Sequence, residues 1–392
     1  MCTVNNPIAL LVPIIFIFLT IPVVVATRPP MIIRALVFGA QLQVAYTTLS
    51  RTHFPMGDPY HDYIGGSSFG VFLLIAFNWY FLEDPLYDGT RRDGDKQLAR
   101  DMPLLKRIWW ATNLVGCLRG VGWNNTVPRV VKVPETETRR SFVVKRLSDA
   151  VLYAAVMDVA GIYLTHNPIT SSLAMERIQP STQGPIFQAL SSLMYMGNFW
   201  ADSQIAYCLL SAVCVGCGFS RPQMWPPLWG SFWDAFTVRR LWGRTWHHFM
   251  RRFICSIGKT AACLFGAEPG TSASAYIQLY VGFFLSGLAH TAGDVNINKR
   301  FGATFWFFMS QAFAITVEDD MIVLARKAGL RESAATRALG RLYVAAWLYL
   351  SLPMMTHPIL SSGRPIVSCL PFSPITMLYW RRAEYRSQGV GQ

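Results

Sequence analysis

Tyr280-Val-Gly-Phe-Phe-Leu-Ser-Gly-Leu-Ala-His290-Thr-Ala-Gly-Asp294 is an apolar run with a single imidazole near its end. The stretch around it, 274–292, has the length and composition of a membrane span, since a hydrocarbon core of about 30 Å takes about 20 residues of helix. A titratable ring at that depth is costly and marks a functional site by default. The competing reading is a buried histidine that only hydrogen-bonds a neighbouring helix. Gly282 and Gly287, on the same run, permit close backbone approach by another helix.

The rest of the chain agrees with a membrane setting. Of 392 residues, 52% are hydrophobic and 15% charged, against about 25% charged in soluble domains. Apolar runs recur at roughly 7–26, 32–49, 66–82, 149–165, 190–217, 274–292, 301–317, 341–358 and, more weakly, 362–380. The fold class is therefore all-α: a polytopic integral membrane protein with about eight to nine transmembrane helices, read as a single membrane domain over 1–392. The first run, Ile8 to Ala26, lacks a basic flank and exceeds a usual signal core, so it is expected to be a retained span, irregular at Pro13 and Pro22.

The formal net charge is +13. Its basic residues gather in 83–148 and 218–273, between apolar runs, as in the cytoplasmic loops of membrane proteins. Alternating the spans puts both segments on one side and the N-terminus on the other, with 190–217 counted as one span. No nucleic-acid-binding module is recognisable. Eight cysteines are scattered. Only Cys214 and Cys217 have CxxC spacing, without the further ligands that zinc requires, so no metal site is expected. No residue pattern specifies an oligomer.

A second unusual block lies upstream of His290. Residues 239–253, Arg-Arg-Leu-Trp-Gly-Arg-Thr-Trp-His-His-Phe-Met-Arg-Arg-Phe, wound at about 100° per residue, put Arg240, Arg244, His247 and Arg251 on one face. Trp242, Trp246, Phe249 and Phe253 fall on the other. The pattern predicts an amphipathic helix in the membrane interface, although Gly243 weakens it. As a bare anchor it would do no chemistry. As a site, its guanidinium groups would hold phosphates and its histidines would face the reacting end of a phosphate-bearing cosubstrate.

Phe232-Trp-Asp-Ala-Phe236, Leu241-Trp-Gly-Arg-Thr-Trp-His247 and Phe284-Leu-Ser-Gly-Leu-Ala-His290 together resemble the wax synthase-like branch of the membrane-bound O-acyltransferases. Leu118-Arg-Gly-Val-Gly-Trp-Asn124 is similar to an element of fungal members that acetylate terpenoid or meroterpenoid alcohols in secondary metabolism. The resemblance implies that His290 is catalytic and that His247 lines the reaction chamber, with His248 a rival for the latter role. Many relatives carry an acidic residue directly after the intramembrane histidine; this chain has Thr291, with Asp294 farther on.

The resulting expectation is acyl transfer from acetyl-CoA or another acyl-CoA, used as cosubstrate with no permanently bound cofactor, to the hydroxyl of a hydrophobic alcohol. His290 would act as general base, and His247 or a backbone N–H would stabilise the oxyanion. Arg240, Arg244, Arg251 and Trp246 would bind the coenzyme. The acceptor would arrive from the lipid, in a multi-pass protein expected in the endoplasmic reticulum. A wax-ester synthase using fatty acyl-CoA and a fatty alcohol is the alternative within this chemistry. A prenyltransferase would need paired acidic motifs for magnesium, and the dense acidic cluster Glu318-Asp319-Asp320 has no counterpart. A non-catalytic transporter would favour matching internal halves, which the sequence lacks.

Overall fold

The computed structural model describes residues 8–51, 56–167, 184–299 and 301–360, with 362, 373 and 375. Among these residues the regular structure is helical, and an isolated bridge pairs Arg92 with Trp123. The long helices are α1 (Ile8–Thr27), α2 (Met31–Arg51), α3 (Pro59–Phe77), α4 (Leu104–Gly116), α5 (Arg139–His166) and α6 (Pro185–Gly216). After a three-residue helix α7 (Val238–Arg240) follow α8 (Arg251–Leu264), α9 (Ser272–Asn298), α10 (Ala303–Lys327) and α11 (Ala334–Leu360). Seven described helices are long and apolar enough to cross a bilayer. α10 is not one of the seven, because Glu318, Asp319, Asp320, Arg326 and Lys327 crowd its second half.

Eight of the expected spans coincide with helices, and 190–217 is one continuous helix. The ninth, 362–380, lies outside the described residues apart from three positions. Three helical stretches inside the expected polar segments were not foreseen: α4, the first nearly three turns of α5, which begins at Arg139, and α8 beyond Phe253.

Contacts gather the chain into two units, Met1–Val131 with Pro227–Ile359, and Lys132–Pro226 with Leu360–Gln392. The second unit is built on the α5–α6 pair, which buries Asp158 and Asn198 between apolar faces. The Asp158 carboxylate accepts the Ile375 N–H at 3.0 Å.

The first unit holds the site. Leu10, Ile17, Ala45, Leu49 and Phe69 tie α1, α2 and α3 into one cluster. Ile75, Ala76, Trp110 and Phe253 join α3 and α4 to α8 in a second, with Trp79, Tyr80 and Trp123 from the chain between helices. Outward faces stay apolar, as at Leu11, Phe16, Ile32, Leu36 and Leu350. That suits a lipid solvent, where apolar surface carries no penalty and backbone groups must be satisfied internally.

α3 ends in a π turn, Asn78–Leu82, which leaves carbonyls without a helical partner. Arg28 donates to the Trp79 carbonyl at 2.7 Å, and Arg34 donates to that of Tyr80. Arg28 is held in turn by Asp84 at 3.0 Å. The charges thus serve the end of α3.

α3 and α9 touch through small residues. A β-carbon on Gly66 would stand 2.7 Å from the Ala292 carbonyl oxygen, and one on Gly293 would stand 2.7 Å from that of Tyr63. Gly66-Ser-Ser-Phe-Gly70 on α3 therefore faces Ala289-His-Thr-Ala-Gly293 on α9, two small-xxx-small patterns that bring helix backbones together. Asn296 locks the seam by donating to the Asp62 carbonyl at 2.7 Å.

Candidate active site

A cavity of about 440 Å³ lies in the first unit, walled by α3, α8, α9, α10 and the segment from Arg239 to Met250. His247, His248 and His290 all line it. Trp242, Trp246, Phe283 and Phe308 supply aromatic walls, and Arg129, Arg239 and Arg251 supply cationic ones.

The segment before α8 is not the single amphipathic helix that its periodicity predicts. Val238–Arg240 makes one helical turn and Leu241–Thr245 widens into a π turn, in which the Trp246 N–H reaches the Leu241 carbonyl at 2.8 Å. Trp246 is then extended, and helix resumes only at Arg251. Pairing with an upstream strand of chain is the cause. Gly230 N–H donates to the Thr245 carbonyl at 2.9 Å, and the Thr245 hydroxyl donates to the Ser231 carbonyl at 3.0 Å. The approach requires glycine, since a β-carbon at 230 would fall 2.0 Å from the Arg244 carbonyl oxygen.

The break rearranges the expected faces. Arg251 and Trp246 line the cavity together with His247, as anticipated, but Arg240 and Arg244 are not among its lining residues. Arg240 lies over the Phe236 ring at 4.0 Å and donates to the Asp234 carbonyl at 3.1 Å. Arg129 and Arg239 take positions on the wall that helical geometry had assigned to those two.

α10 fastens this segment. Glu318, buried on α10, accepts the Val238 N–H at 2.5 Å and the Arg239 N–H at 3.1 Å. Asp319 accepts from the Arg239 guanidinium and from Tyr276 Oη at 3.0 Å. Gln311 Oε1, fully buried, accepts from Trp242 Nε1 at 3.3 Å and from Trp347 Nε1 at 2.9 Å. Two members of the acidic cluster thus have roles in holding the wall.

His247 is packed edge-on against Trp229, with centroids 5.2 Å apart, and lies beside Trp246 and Phe249. Burial, then the proximity of His290, His248 and Arg119, pushes its pKa down to about 3. Burial and Arg251 push that of His248 down to about 4. Both rings are neutral at physiological pH.

Two aromatic rings lie nearly parallel to that of His290. Phe308 stacks on it at 4.8 Å and 16°, and Tyr63 at 5.9 Å and 17°. Tyr63 Oη lies 3.2 Å from His290 Nδ1. Asp294, one turn beyond His290, accepts from the Thr304 hydroxyl at 2.8 Å and the Thr304 N–H at 3.3 Å. A ring with one nitrogen held and two aromatic rings beside it has the makings of a positioned base, and a neutral His247 can donate to a developing oxyanion.

The sequence profile of the membrane bound O-acyl transferase family matches residues 225–310, a range that includes both histidines. Among characterised relatives, acetyltransferase ple2 of Rhodocybe pseudopiperita is 31% identical over 353 residues, covering 88% of this chain and 89% of the relative. Acetyltransferase eriL of Hericium erinaceus is 27% identical, covering 69% of this chain and 71% of its own. O-Mevalon transferase yanI of Aspergillus niger is 28% identical, covering 64% and 62%.

Proposed function

The chain belongs to the membrane-bound O-acyltransferase family, and on that premise we propose that it moves an acetyl group from acetyl-CoA to a hydroxyl of a hydrophobic terpenoid or meroterpenoid alcohol. The carrying observation is that His247 and His290 face one aromatic cavity whose wall also bears Arg129, Arg239 and Arg251.

In this reading the acceptor hydroxyl approaches Nε2 of His290, the nitrogen not held by Tyr63. As the oxygen attacks the thioester carbon, Nε2 takes its proton. The carbonyl oxygen becomes an oxyanion and receives a hydrogen bond from neutral His247. Collapse expels the coenzyme thiolate, which recovers the proton from His290, leaving ester and free coenzyme A. Arg251, with Arg129 and Arg239, holds the coenzyme phosphates, since guanidinium groups match phosphate oxygens. Lateral entry from the lipid suits an apolar acceptor, in a multi-pass protein of the endoplasmic reticulum.

Cavity size favours a short acyl group. About 440 Å³ sits toward the small end of the ~300–1,000 Å³ typical of ligand pockets, which suits one compact alcohol and an acetyl unit better than two long chains. The names of relatives ple2 and eriL point to acetyl, whereas that of yanI points to a larger acyl group.

The test is expression in a host without related activity, fed a panel of terpenoid, meroterpenoid and fatty alcohols, with mass spectrometry for an added acyl mass. Acetyl esters of a polycyclic or prenylated alcohol are expected. Long-chain esters of fatty alcohols would establish the wax-ester reading instead, and the absence of any ester would overturn the assignment.

A further inference from the structure

Resting on the reading of His247 as the oxyanion donor, we infer that Arg119 is a positioning residue, which fixes His247 through the carbonyl of Pro227 and the indole of Trp229. This gives a part to Leu118-Arg-Gly-Val-Gly-Trp-Asn124, none of whose residues is among those lining the cavity.

The element is shaped to present this side chain. Gly120 and Gly122 take left-handed backbone, with φ of 64° and 75°, which glycine adopts without strain. A β-carbon on Gly120 would also stand 2.9 Å from the Asn125 carbonyl oxygen. The loop closes where the Val127 N–H donates to the Arg119 carbonyl at 3.0 Å and the Thr126 hydroxyl donates to that of Gly120 at 2.6 Å. Trp123, buried and edge-on to Trp110 at 5.9 Å, pins the loop in the core. Arg119 is itself buried, and its Nη1 donates to the Pro227 carbonyl at 2.7 Å.

Pro227 begins the stretch Pro227-Leu-Trp-Gly-Ser231, directly after Pro226. Neither proline has an N–H, so backbone hydrogen bonds can hold this end of the stretch only at its carbonyls. The other end is tied to Thr245 through Gly230 and Ser231. Between the two ties sits the buried Trp229, whose ring meets Trp246 at 4.6 Å and 79° and His247 at 5.2 Å and 89°. Edge-on ring contacts are directional, so the placement of Trp229 sets the tilt of the imidazole. A catalytic group displaced by about 1 Å can cost ~10²-fold in rate. The charge of Arg119 acts in the same sense, because it disfavours a proton on His247 and keeps the ring a neutral donor.

The test is steady-state kinetics of purified full-length Arg119→Met, Arg119→Lys and His247→Ala, and of each arginine change combined with His247→Ala. The substrates are acetyl-CoA and the panel alcohol that the parent acetylates. Arg119→Met, which removes donor and charge, is expected to lower kcat by roughly 10- to 100-fold with KM for acetyl-CoA little changed. Arg119→Lys, which can still donate to the Pro227 carbonyl, is expected to lower it less but measurably, and carries the same comparison should the methionine variant fail to fold. In the His247→Ala background neither arginine change is expected to lower kcat further, since residues acting through one another are not additive. Parent-like kcat in the arginine variants, losses that multiply in the double variants, or a raised KM for acetyl-CoA at unchanged kcat would overturn the positioning role and leave His247 as donor. Parent-like kcat in His247→Ala would remove the donor, and the positioning with it.

Discussion

Gly70 on α3 and Ala289 on α9 meet backbone to backbone: a β-carbon built on Gly70 would lie 2.4 Å from the Ala289 carbonyl oxygen and 2.5 Å from its α-carbon. Ala289 is the residue before the candidate base. The contact therefore sets how far the Tyr63 side of α3 stands from His290. Gly70→Val must push the helices apart, at about 1–3 kcal/mol for overpacking, and is expected to lower the melting temperature and most of the turnover together. Gly39→Ala, in open space, is the control expected to change neither. A Gly70→Val protein with the parent's melting curve and rate would show that the seam does not govern the site.

Removing the imidazoles should separate their roles. His290→Ala is expected to abolish acetyl transfer in a protein that still accumulates in membranes. His247→Gln, which keeps a neutral donor, should retain more turnover than His247→Ala, whose loss is expected near the ~10²–10³ of a missing oxyanion donor. Initial rates at saturating acetyl-CoA measure both. Equal rates for the two His247 variants would argue against a hydrogen-bonding role.

The arginines divide by position. Arg251 lines the cavity, and Arg244 does not. Arg251→Ala should raise KM for acetyl-CoA by about 10-fold or more, the scale of a lost charged hydrogen bond, with KM for the alcohol little changed. Arg244→Ala should leave both near the parent values. The reverse pattern, measured by coenzyme titration at fixed alcohol, would restore Arg244 to the binding role that helical periodicity had suggested.

Acid should loosen the histidine-bearing segment. His247 has its pKa lowered to about 3 and His248 to about 4 in the folded protein, against about 6.5 unfolded. The unfolded chain binds protons that the native one refuses, so stability is fully present above pH 6.5 and declines as the pH falls toward 3. Thermal unfolding in detergent across that window should show the decline, and it should be shallower in His247→Gln. A parallel acid profile in the variant would assign the loss to other groups.

Glu318→Ala should release the aromatic–basic wall, since it strips two backbone N–H groups of their acceptor. Unpaired buried donors cost about 1–3 kcal/mol each. Lower stability and a raised KM for acetyl-CoA are expected, with Glu318→Gln falling between variant and parent. Unchanged coenzyme binding in the alanine variant would disconnect α10 from the site.

Helix positions were legible because apolar runs of sufficient length leave few alternatives in lipid, and 190–217 read correctly as one helix on charge balance. That His290, His247, Trp246 and Arg251 come together around one cavity was legible too, from an imidazole and an aromatic–basic block set in improbable surroundings. The arc from Arg239 to Phe253 was not. Its periodicity fitted a helix, but the pairing of Gly230 with Thr245 comes from elsewhere in the chain and overrides it. Tyr63 and Arg129 were missed because their places beside His290 and on the cavity wall come from contacts across long sequence separations. The Gly66–Gly70 spacing was a visible sign of a helix seam, yet nothing local named its partner. α4 escaped because the basic residues around it outweighed its short apolar stripe.

Since α3 and α9 meet backbone to backbone at Gly66, Gly70 and Gly293, that seam has no volume to trade. Preference for a new alcohol can drift more freely among Trp242, Ile254 and Ile315, lining residues on neither helix and without ring contact to the base. Inheritance of the chemistry and divergence of the substrate are thereby assigned to different helices.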